Sequence, residues 1–164
     1  MDASRHAAVL DRGALTTRSA AETQALGRAL GEAAMPGTLL ALAGSLGAGK
    51  TQLAKGVAAG LGVTGVVNSP TFVLMNEHAG RLRLFHADAY RLDDPEAALA
   101  AGLLDERQRL GVTVIEWADR LDGWLPHERL DITLETDSDD DRRVSWRARG
   151  PAHAALAARA LERQ

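Results

Sequence analysis

The chain has 164 residues, a length that fits one domain. Hydrophobic residues make up 46% and charged residues 25%, the balance of a globular protein rather than a disordered one. The formal net charge of -3 argues against a protein whose whole surface is built to bind nucleic acid. Cysteine is absent, which excludes disulfides, thiol nucleophiles and cysteine-ligated zinc.

The sequence contains no membrane or secretion signal. No apolar run approaches the roughly 18 residues that a membrane-spanning helix needs. The first residues, MDASRHAAVLDRG, lack the apolar stretch of a secretory signal. We therefore expect a cytoplasmic protein with no membrane partner.

The first elements follow from local sequence signals. Residues 14–18 predict a short edge strand. Ser19 and Glu22 form the S-x-x-E pattern that begins a helix, and the Met-Pro-Gly sequence at residues 35–37 ends it. The apolar run TLLALA at residues 38–43 predicts a strand that is buried on both faces.

The middle of the chain predicts a hairpin, a helix and a strand. Residues 71–90 read as two strands with their turn at residues 79–80. The Asp-Asp-Pro-Glu sequence at residues 93–96 predicts a helix start, with the helix running over residues 97–110. VTVIE at residues 112–116 predicts a second buried strand.

The last third predicts two strands and a helix. Residues 130–134 and 144–147 alternate apolar and polar side chains, and the loop DSDDD joins them. Residues 151–164 predict an Ala-rich helix. Since strands alternate with helices, we predict an α/β protein with a three-layer α/β/α arrangement, whose mixed central sheet includes antiparallel hairpin strands. The glycine-rich loop at residues 44–51 makes this expected fold P-loop NTPase-like.

Residues 44–51, GSLGAGKT, match the phosphate-binding pattern G-x-x-x-x-G-K-[ST]. Glycines allow backbone N–H groups to turn toward a phosphate, and the N-terminus of the following helix adds its dipole. Lys50 supplies a point charge for the β- and γ-phosphates, and the Thr51 hydroxyl is a Mg²⁺ ligand. An apolar strand precedes the motif and an amphipathic helix follows it, as the motif requires.

Three further residues are candidates on their position alone. Glu116 closes an apolar strand, where a P-loop NTPase places the acid that holds Mg²⁺ or orients water; the alternative is an ordinary solvated acid. Asp88 shares a strand face with His86 and Tyr90, or it only caps a turn. For Thr71, an ordinary strand residue is the better interpretation on spacing alone.

The positions of the basic residues bear on which nucleotide the chain binds and on whether it contacts RNA. Both lysines, Lys50 and Lys55, lie in GKTQLAK, so the N-K-x-D guanine-binding element of Ras-like GTPases cannot exist, and ATP is favoured. Arg142, Arg143, Arg147 and Arg149 surround Trp146 on or beside a strand, a pattern that RNA could contact. A charged edge strand is the favoured interpretation.

Together these residues resemble the TsaE (YjeE) family. The resemblance covers about residues 15–135 of a single domain spanning 1–164, and the tail 136–164 is variable and carries no motif. The family landmarks are ET-x-x-LG at 22–27, G-x-LGAGKT at 44–51, SPTF at 69–72, H-x-D-x-YR at 86–91, IEW at 115–117, LP at 125–126 and L-x-I-x-L at 130–134. Two departures from the family pattern, Ser45 and Ala87, leave nucleotide binding in place.

The resemblance implies an ATPase of bacterial tRNA threonylcarbamoyladenosine synthesis that is weak alone. It implies ATP and Mg²⁺ as cofactors and the TsaB–TsaD heterodimer as partner, with tRNA reached indirectly through that complex. Hydrolysis would then support repeated turnover. The alternative is a small-molecule kinase of the P-loop type, for which only Arg107 and Arg109 are candidates for an arginine lid.

The resemblance also implies roles for individual residues. Lys50, Thr71, Asp88 and Glu116 would be the catalytic residues, with Thr71 a switch-like threonine near the γ-phosphate. Thr51, Glu116 and Asp88 would surround the Mg²⁺. The residues expected at the nucleotide are Gly44, Ser45, Leu46, Gly47, Ala48, Gly49, Lys50, Thr51, Gln52 and Trp117.

Overall fold

The fold is a seven-stranded mixed sheet with helices on both faces. It is seen in a computed structural model, which describes residues 11–45, 47–65, 67, 75–90, 92, 94–100, 102, 104–121 and 123–162. Short 3₁₀ segments at Glu106–Leu110 and Ala118–Leu121 flank the fifth strand. The strands and α-helices of this part of the chain are β1 Arg12–Thr17, α1 Ala20–Ala33, β2 Leu39–Gly44, α2 Lys50–Gly60, β3 Met75–His78, β4 Leu84–Asp88, α3 Pro95–Ala100, β5 Val112–Glu116, β6 Arg129–Thr136, β7 Arg142–Arg149 and α4 Pro151–Ala160.

The strand order is β1-β7-β6-β2-β5-β4-β3. The central strands β6, β2, β5 and β4 are mutually parallel, while β1, β7 and β3 pair antiparallel with their neighbours. The predicted α/β class with a mixed sheet is therefore confirmed, as is the edge position of β1. The interpretation of β7 as an edge strand is wrong, because β1 pairs with it from Arg12–Arg147 to Thr17–Arg142.

Different helices cover the two faces of the central strand β2. Helices α1, α2 and α4 cover one face and pack on Leu40 and Leu42 of β2. On the other face α3 and the Ala118–Leu121 segment pack on Leu39 and Ala41. All four of these β2 side chains are buried, which confirms the strand predicted to be covered on both faces.

Helix α1 begins and ends where the sequence predicts. The Ser19 hydroxyl accepts a hydrogen bond from the Glu22 backbone N–H at 3.1 Å, which satisfies one free donor of the first turn. The Glu22 carboxylate accepts from the Arg18 N–H at 2.9 Å rather than from Ser19. The helix ends at Ala33, just before the predicted Met-Pro-Gly stop.

Two of the three predictions for the middle of the chain hold. Strands β3 and β4 form the predicted hairpin, although residues 71–74 lie outside the described residues. Strand β5 is the predicted buried strand. The continuous helix over residues 97–110 is wrong: α3 ends at Ala100, and Gly102 has a φ of +99°, which an α-helix cannot contain.

Helices α1 and α2 approach each other closely enough for backbone contact. An added Cβ on Gly27 would lie 2.2 Å from the carbonyl oxygen of Leu53, and one on Gly56 would lie 2.1 Å from that of Gln24. Gly31 and Gly60 are equally close to the facing helix. Because no side chain fits between them, the two helices fix the position of the α2 N-terminus against the sheet.

The C-terminal part of the chain belongs to the same sheet. Strands β6 and β7 form the predicted antiparallel pair, and α4 packs beside α1 through Leu156 and Ala157. None of the helices in the described part of the chain has the length and apolar character needed to cross a membrane.

Candidate nucleotide-binding site

The glycine-rich loop connects the end of β2 to the start of α2. Gly44, Gly47 and Gly49 have φ angles of +139°, +80° and +106°, a region that side-chain-bearing residues rarely adopt. A Cβ on Gly44 would also lie 2.2 Å from the Leu134 carbonyl oxygen of β6. The glycines of the motif are therefore required by the backbone path itself. Leu46 of this loop lies outside the described residues.

Lys50 is the first residue of α2 and is only 4% exposed. Its Nζ donates to the carbonyl oxygens of Gly44 at 2.7 Å and of Ser45 at 2.8 Å. The same Nζ lies 3.8 Å from the ring centroid of Trp117, a cation–π distance. The ammonium group is thus held inside the loop by oxygens on one side and an aromatic face on the other.

Burial lowers the pKa of Lys50, because the desolvated ammonium loses its hydration. Glu116, Asp119 and Asp88 oppose this shift through their negative charge. A partly dehydrated cation interacts more strongly with an anion than a hydrated one. The position of Lys50 at the N-terminus of a helix therefore suits a phosphate group.

Glu116 links the loop to the sheet through both oxygens of its carboxylate. The Thr51 hydroxyl donates to Oε1 at 2.9 Å, and His86 Nε2 lies 2.6 Å from Oε2. His86 is 0% exposed and Glu116 is 2% exposed, so the pair is fully enclosed. Glu116 is therefore not the solvated strand-end acid of the alternative interpretation.

Asp88 lies beside Glu116 on the neighbouring strand, as the β4–β5 register places them opposite each other. Its Oδ1 accepts a hydrogen bond from the Tyr90 backbone N–H at 2.9 Å, so the turn-capping contact is present as well. Burial raises the pKa of Asp88, and the negative charge of Glu116 adds to the shift. The hydrogen bond from the Tyr90 backbone N–H and the electrostatic influence of His86 and Lys50 lower the pKa of Asp88.

An aromatic pair closes the site above Lys50. Trp117 has a φ of +59°, an uncommon conformation for a bulky residue, and this turns its indole ring over the ammonium group. The Tyr90 ring lies 4.7 Å from that of Trp117, and the Arg120 guanidinium lies 5.5 Å from the Tyr90 ring. Sequence reasoning assigned no role to His86, Tyr90 or Arg120, although their nearness to Asp88 and Trp117 in the chain was a usable signal.

The C-terminal part of the chain also reaches the loop. The Arg142 guanidinium donates to the Gly47 carbonyl oxygen at 3.3 Å and to the Asp141 carbonyl oxygen at 3.0 Å. The segment without a recognisable motif therefore contributes a contact to the phosphate-binding loop. Nothing local in the sequence indicates it, since the two residues are 95 positions apart.

The oxygen donors at the loop fit a Mg²⁺ ion that shares its coordination with phosphate. The described residues include no group of three His, Asp or Glu side chains arranged to hold a metal by themselves. Mg²⁺ commonly takes one or two protein oxygens together with phosphate oxygens and water. The Thr51 hydroxyl and the Glu116 carboxylate, 2.9 Å apart, are such a pair, and Asp88 lies next to them in the sheet.

The structure brings most of the predicted site residues together and leaves two undescribed. Lys50 contacts Trp117, Thr51 contacts Glu116, and Asp88 adjoins Glu116. Gln52 lies one position further along α2, where its side-chain oxygen accepts a hydrogen bond from the Gln24 amide at 2.6 Å. Thr71, like Leu46, lies outside the described residues.

A Walker-type loop between a parallel strand and a helix, on this sheet, defines a P-loop NTPase-like α/β protein. The family model "Threonylcarbamoyl adenosine biosynthesis protein TsaE" matches residues 17–144. The chain belongs to the TsaE family.

Relatives and a solved structure agree with this assignment. The chain is 43% identical over 130 residues to the "tRNA threonylcarbamoyladenosine biosynthesis protein TsaE" of Bacillus subtilis, covering 79% of this chain and 81% of that protein. It is 38% identical to the protein of the same name from Treponema pallidum, covering 79% and 96%. The crystal structure of Bacillus subtilis YdiB superposes with a TM-score of 0.79 at 34% identity, covering 93% of this chain and 95% of that one.

Proposed function

We propose that the chain is a Mg²⁺-dependent ATPase that supports tRNA threonylcarbamoyladenosine synthesis in the cytoplasm. The observation that carries the proposal is the buried connection from Thr51 through Glu116 to His86 behind the phosphate-binding loop. Burying a carboxylate costs free energy unless hydrogen bonds or opposite charges offset the lost hydration. Such a residue is therefore retained mainly where a site requires it. Here the carboxylate stands where a hydrolytic P-loop site needs its acid.

ATP is the proposed nucleotide rather than GTP. The chain has two lysines, and both lie at the loop and in α2, at positions 50 and 55. A Ras-type guanine-binding element needs a lysine elsewhere in the chain, and none is present. The exclusion comes from composition and applies to the whole sequence.

The proposed chemistry is in-line attack of water on the γ-phosphate. Lys50 and the backbone N–H groups at the α2 N-terminus offset the charge of the phosphates. When bound, Mg²⁺ would neutralise the charge shared by the β- and γ-phosphates, and Thr51 and Glu116 would hold it, with Asp88 as a further acid. Trp117 shields Lys50 from water, which strengthens these interactions.

The proposed partner is the TsaB–TsaD heterodimer, and tRNA is reached through that complex. Membership of the TsaE family and the names of the relatives support a role in this modification. The alternative stays a small-molecule kinase, for which Arg107 and Arg109 are the lid candidates. Arg107 is held by Glu77 at 3.1 Å and lies near Asp105 at 3.6 Å.

The test measures ATP affinity and ATP hydrolysis of the purified chain, with and without TsaB–TsaD. We expect Lys50→Ala to weaken ATP binding, and Glu116→Gln to keep ATP binding while its hydrolysis falls by about 10²–10³. Lys55→Ala is the matched control, since it removes the other lysine from the same helix. ATP hydrolysis by Lys50→Ala at the wild-type rate would contradict the proposal. Transfer of the γ-phosphate to a metabolite would contradict it as well.

A further inference from the structure

One face of the sheet is rich in arginine at its β1–β7–β6 end, where the described residues leave it uncovered. Strands β1, β7 and β6 carry Arg12, Arg129, Arg143, Arg147 and Arg149 on the side opposite α1 and α4, and these five residues define the arginine face. The orientation follows from alternation along β7, because Val144 and Trp146 are buried on the helix side. In the described part of the chain no helix packs on this side of β1 and β7, whose residues Ala14, Thr16, Arg143 and Arg147 are exposed.

The arginine face carries an excess of positive charge, although acids lie opposite two of its arginines. It contains five arginines and two acids, on a chain whose net charge is -3. The β6–β7 register places Asp131 opposite Arg147 and Glu135 opposite Arg143. Both oxygens of Asp131 are already used, by Arg129 Nε at 2.8 Å and Arg149 Nε at 2.6 Å. Within 4 Å of Arg143 and Arg147 the described residues place no acidic partner.

The β1–β7 register places two like charges against each other, although Asp131 lies opposite Arg147 on its other side. Arg12 lies directly opposite Arg147 across the β1–β7 ladder, and like charges in this position destabilise a sheet. Only Asp11 lies near Arg12, at 3.6 Å, and both side chains are largely exposed, so this pair contributes little. An external anion would relieve the repulsion between Arg12 and Arg147.

The spacing on the arginine face suits an extended anion rather than a single one. Arg143 and Arg147 are four residues apart on one strand, which separates their Cα atoms by about 13 Å. Between them Ala14, Ser145 and Thr133 form a row of short side chains across three strands. Next to β6 the face adjoins a cleft of about 310 Å³ that Arg129 and Arg149 help to line.

We propose that the arginine face binds the phosphate backbone of tRNA directly. Arginine recognises phosphate bidentately, and contacts of this kind add affinity without reading the base sequence. Trp146, the aromatic residue among these arginines, is 5% exposed on the opposite face, so base stacking plays no part. The proposal goes beyond the proposed ATPase and does not depend on nucleotide hydrolysis. It adds a direct contact to the tRNA that the TsaB–TsaD complex otherwise supplies.

The test compares binding of a labelled tRNA transcript to the full-length chain over a range of salt concentrations. The double variant Arg143→Gln, Arg147→Gln removes the two arginines that make no ion pair within 4 Å among the described residues, and it keeps polar side chains. We expect its affinity at about 50 mM salt to fall roughly tenfold, and the slope of log K against log salt to fall by roughly 1.5. Arg28→Gln, Arg109→Gln is the matched control, since both of these arginines are exposed and lie away from this face.

Each result decides the proposal. Weaker tRNA binding by the first pair, with unchanged binding by the control pair and unchanged thermal unfolding of both, supports it. No binding by the wild type at about 50 mM salt overturns it, and so does an equal loss in both pairs. Polyglutamate bound as tightly as tRNA would also overturn it and would assign the face to an acidic protein. ATP hydrolysis, measured separately, reports on the ATPase alone.

Discussion

His86 is the residue that most directly connects the sheet to the site. Its Nε2 lies 2.6 Å from Glu116 Oε2, and both side chains are enclosed. Replacement by Leu would remove this hydrogen bond to a buried carboxylate. A buried acceptor without a hydrogen bond costs about 1–3 kcal/mol, and more when it is charged.

We therefore predict that His86→Leu lowers the free energy of unfolding by about 2–3 kcal/mol. His86→Gln can still donate to Glu116 and should lose less stability. Denaturant unfolding measures the difference, and ATP hydrolysis by His86→Gln shows whether the Glu116 position is kept. Equal stability of the wild type and the Leu variant would contradict the proposed role of the hydrogen bond.

Asp88 gives a prediction about pH. Burial raises the pKa of Asp88 above its ordinary value of 3.8, so the ionised form costs stability in the folded state. That cost is present at neutral pH and disappears as the pH falls through the raised pKa. Asp88→Asn can still accept the hydrogen bond from the Tyr90 N–H.

Asp88→Asn should therefore raise the Tm at neutral pH in the presence of a chelator, and the gain should shrink toward pH 4. Thermal unfolding over a pH series tests this. Asp139→Asn, in the exposed loop before β7, removes the same formal charge and serves as the control. A rise in Tm from Asp88→Asn that becomes larger at lower pH would contradict the prediction.

At the scale of elements, the contact between α1 and α2 determines where the phosphate-binding loop ends. Gly27→Ala would place a Cβ 2.2 Å from the Leu53 carbonyl oxygen, so the helices would have to separate. We predict a loss of about 2 kcal/mol or more in the free energy of unfolding, despite the higher helix propensity of Ala. ATP binding should weaken too, because α2 carries Lys50 and Thr51 at its first turn.

Ala59→Ser is the control for this prediction, since it adds one atom at an exposed position of α2. Denaturant unfolding and ATP titration of both variants are the measurements. Unchanged stability of Gly27→Ala would show that the helices can move apart at no cost. In that case the close approach would not be what positions the loop.

At the scale of the whole molecule, the sequence predicted those parts that are determined by local pattern. The strand before the loop, the loop itself and the capped start of α1 each have a short signature, and the structure has all three. The Gly-x-x-x-Gly spacing in α1 and α2 was visible as well. In a chain with 16 glycines this spacing alone predicts little.

Other features depend on contacts between distant parts of the chain. Strand β7 looked like a charged edge, but β1, more than 120 residues earlier, covers that edge. Likewise the enclosure of Glu116 needs α2, β4 and β5 together. The segregation of charge, with an arginine face on an acidic chain, follows from strand order and not from composition.

The central claim is that ATP hydrolysis at this site supports repeated tRNA modification. The most direct measurement counts threonylcarbamoyladenosine formed per TsaB–TsaD complex with wild-type chain and with Glu116→Gln, at saturating ATP. Our account predicts many modifications per complex with the wild type and about one with Glu116→Gln, because the variant binds ATP but does not turn it over. Equal numbers of modifications with both proteins would contradict it.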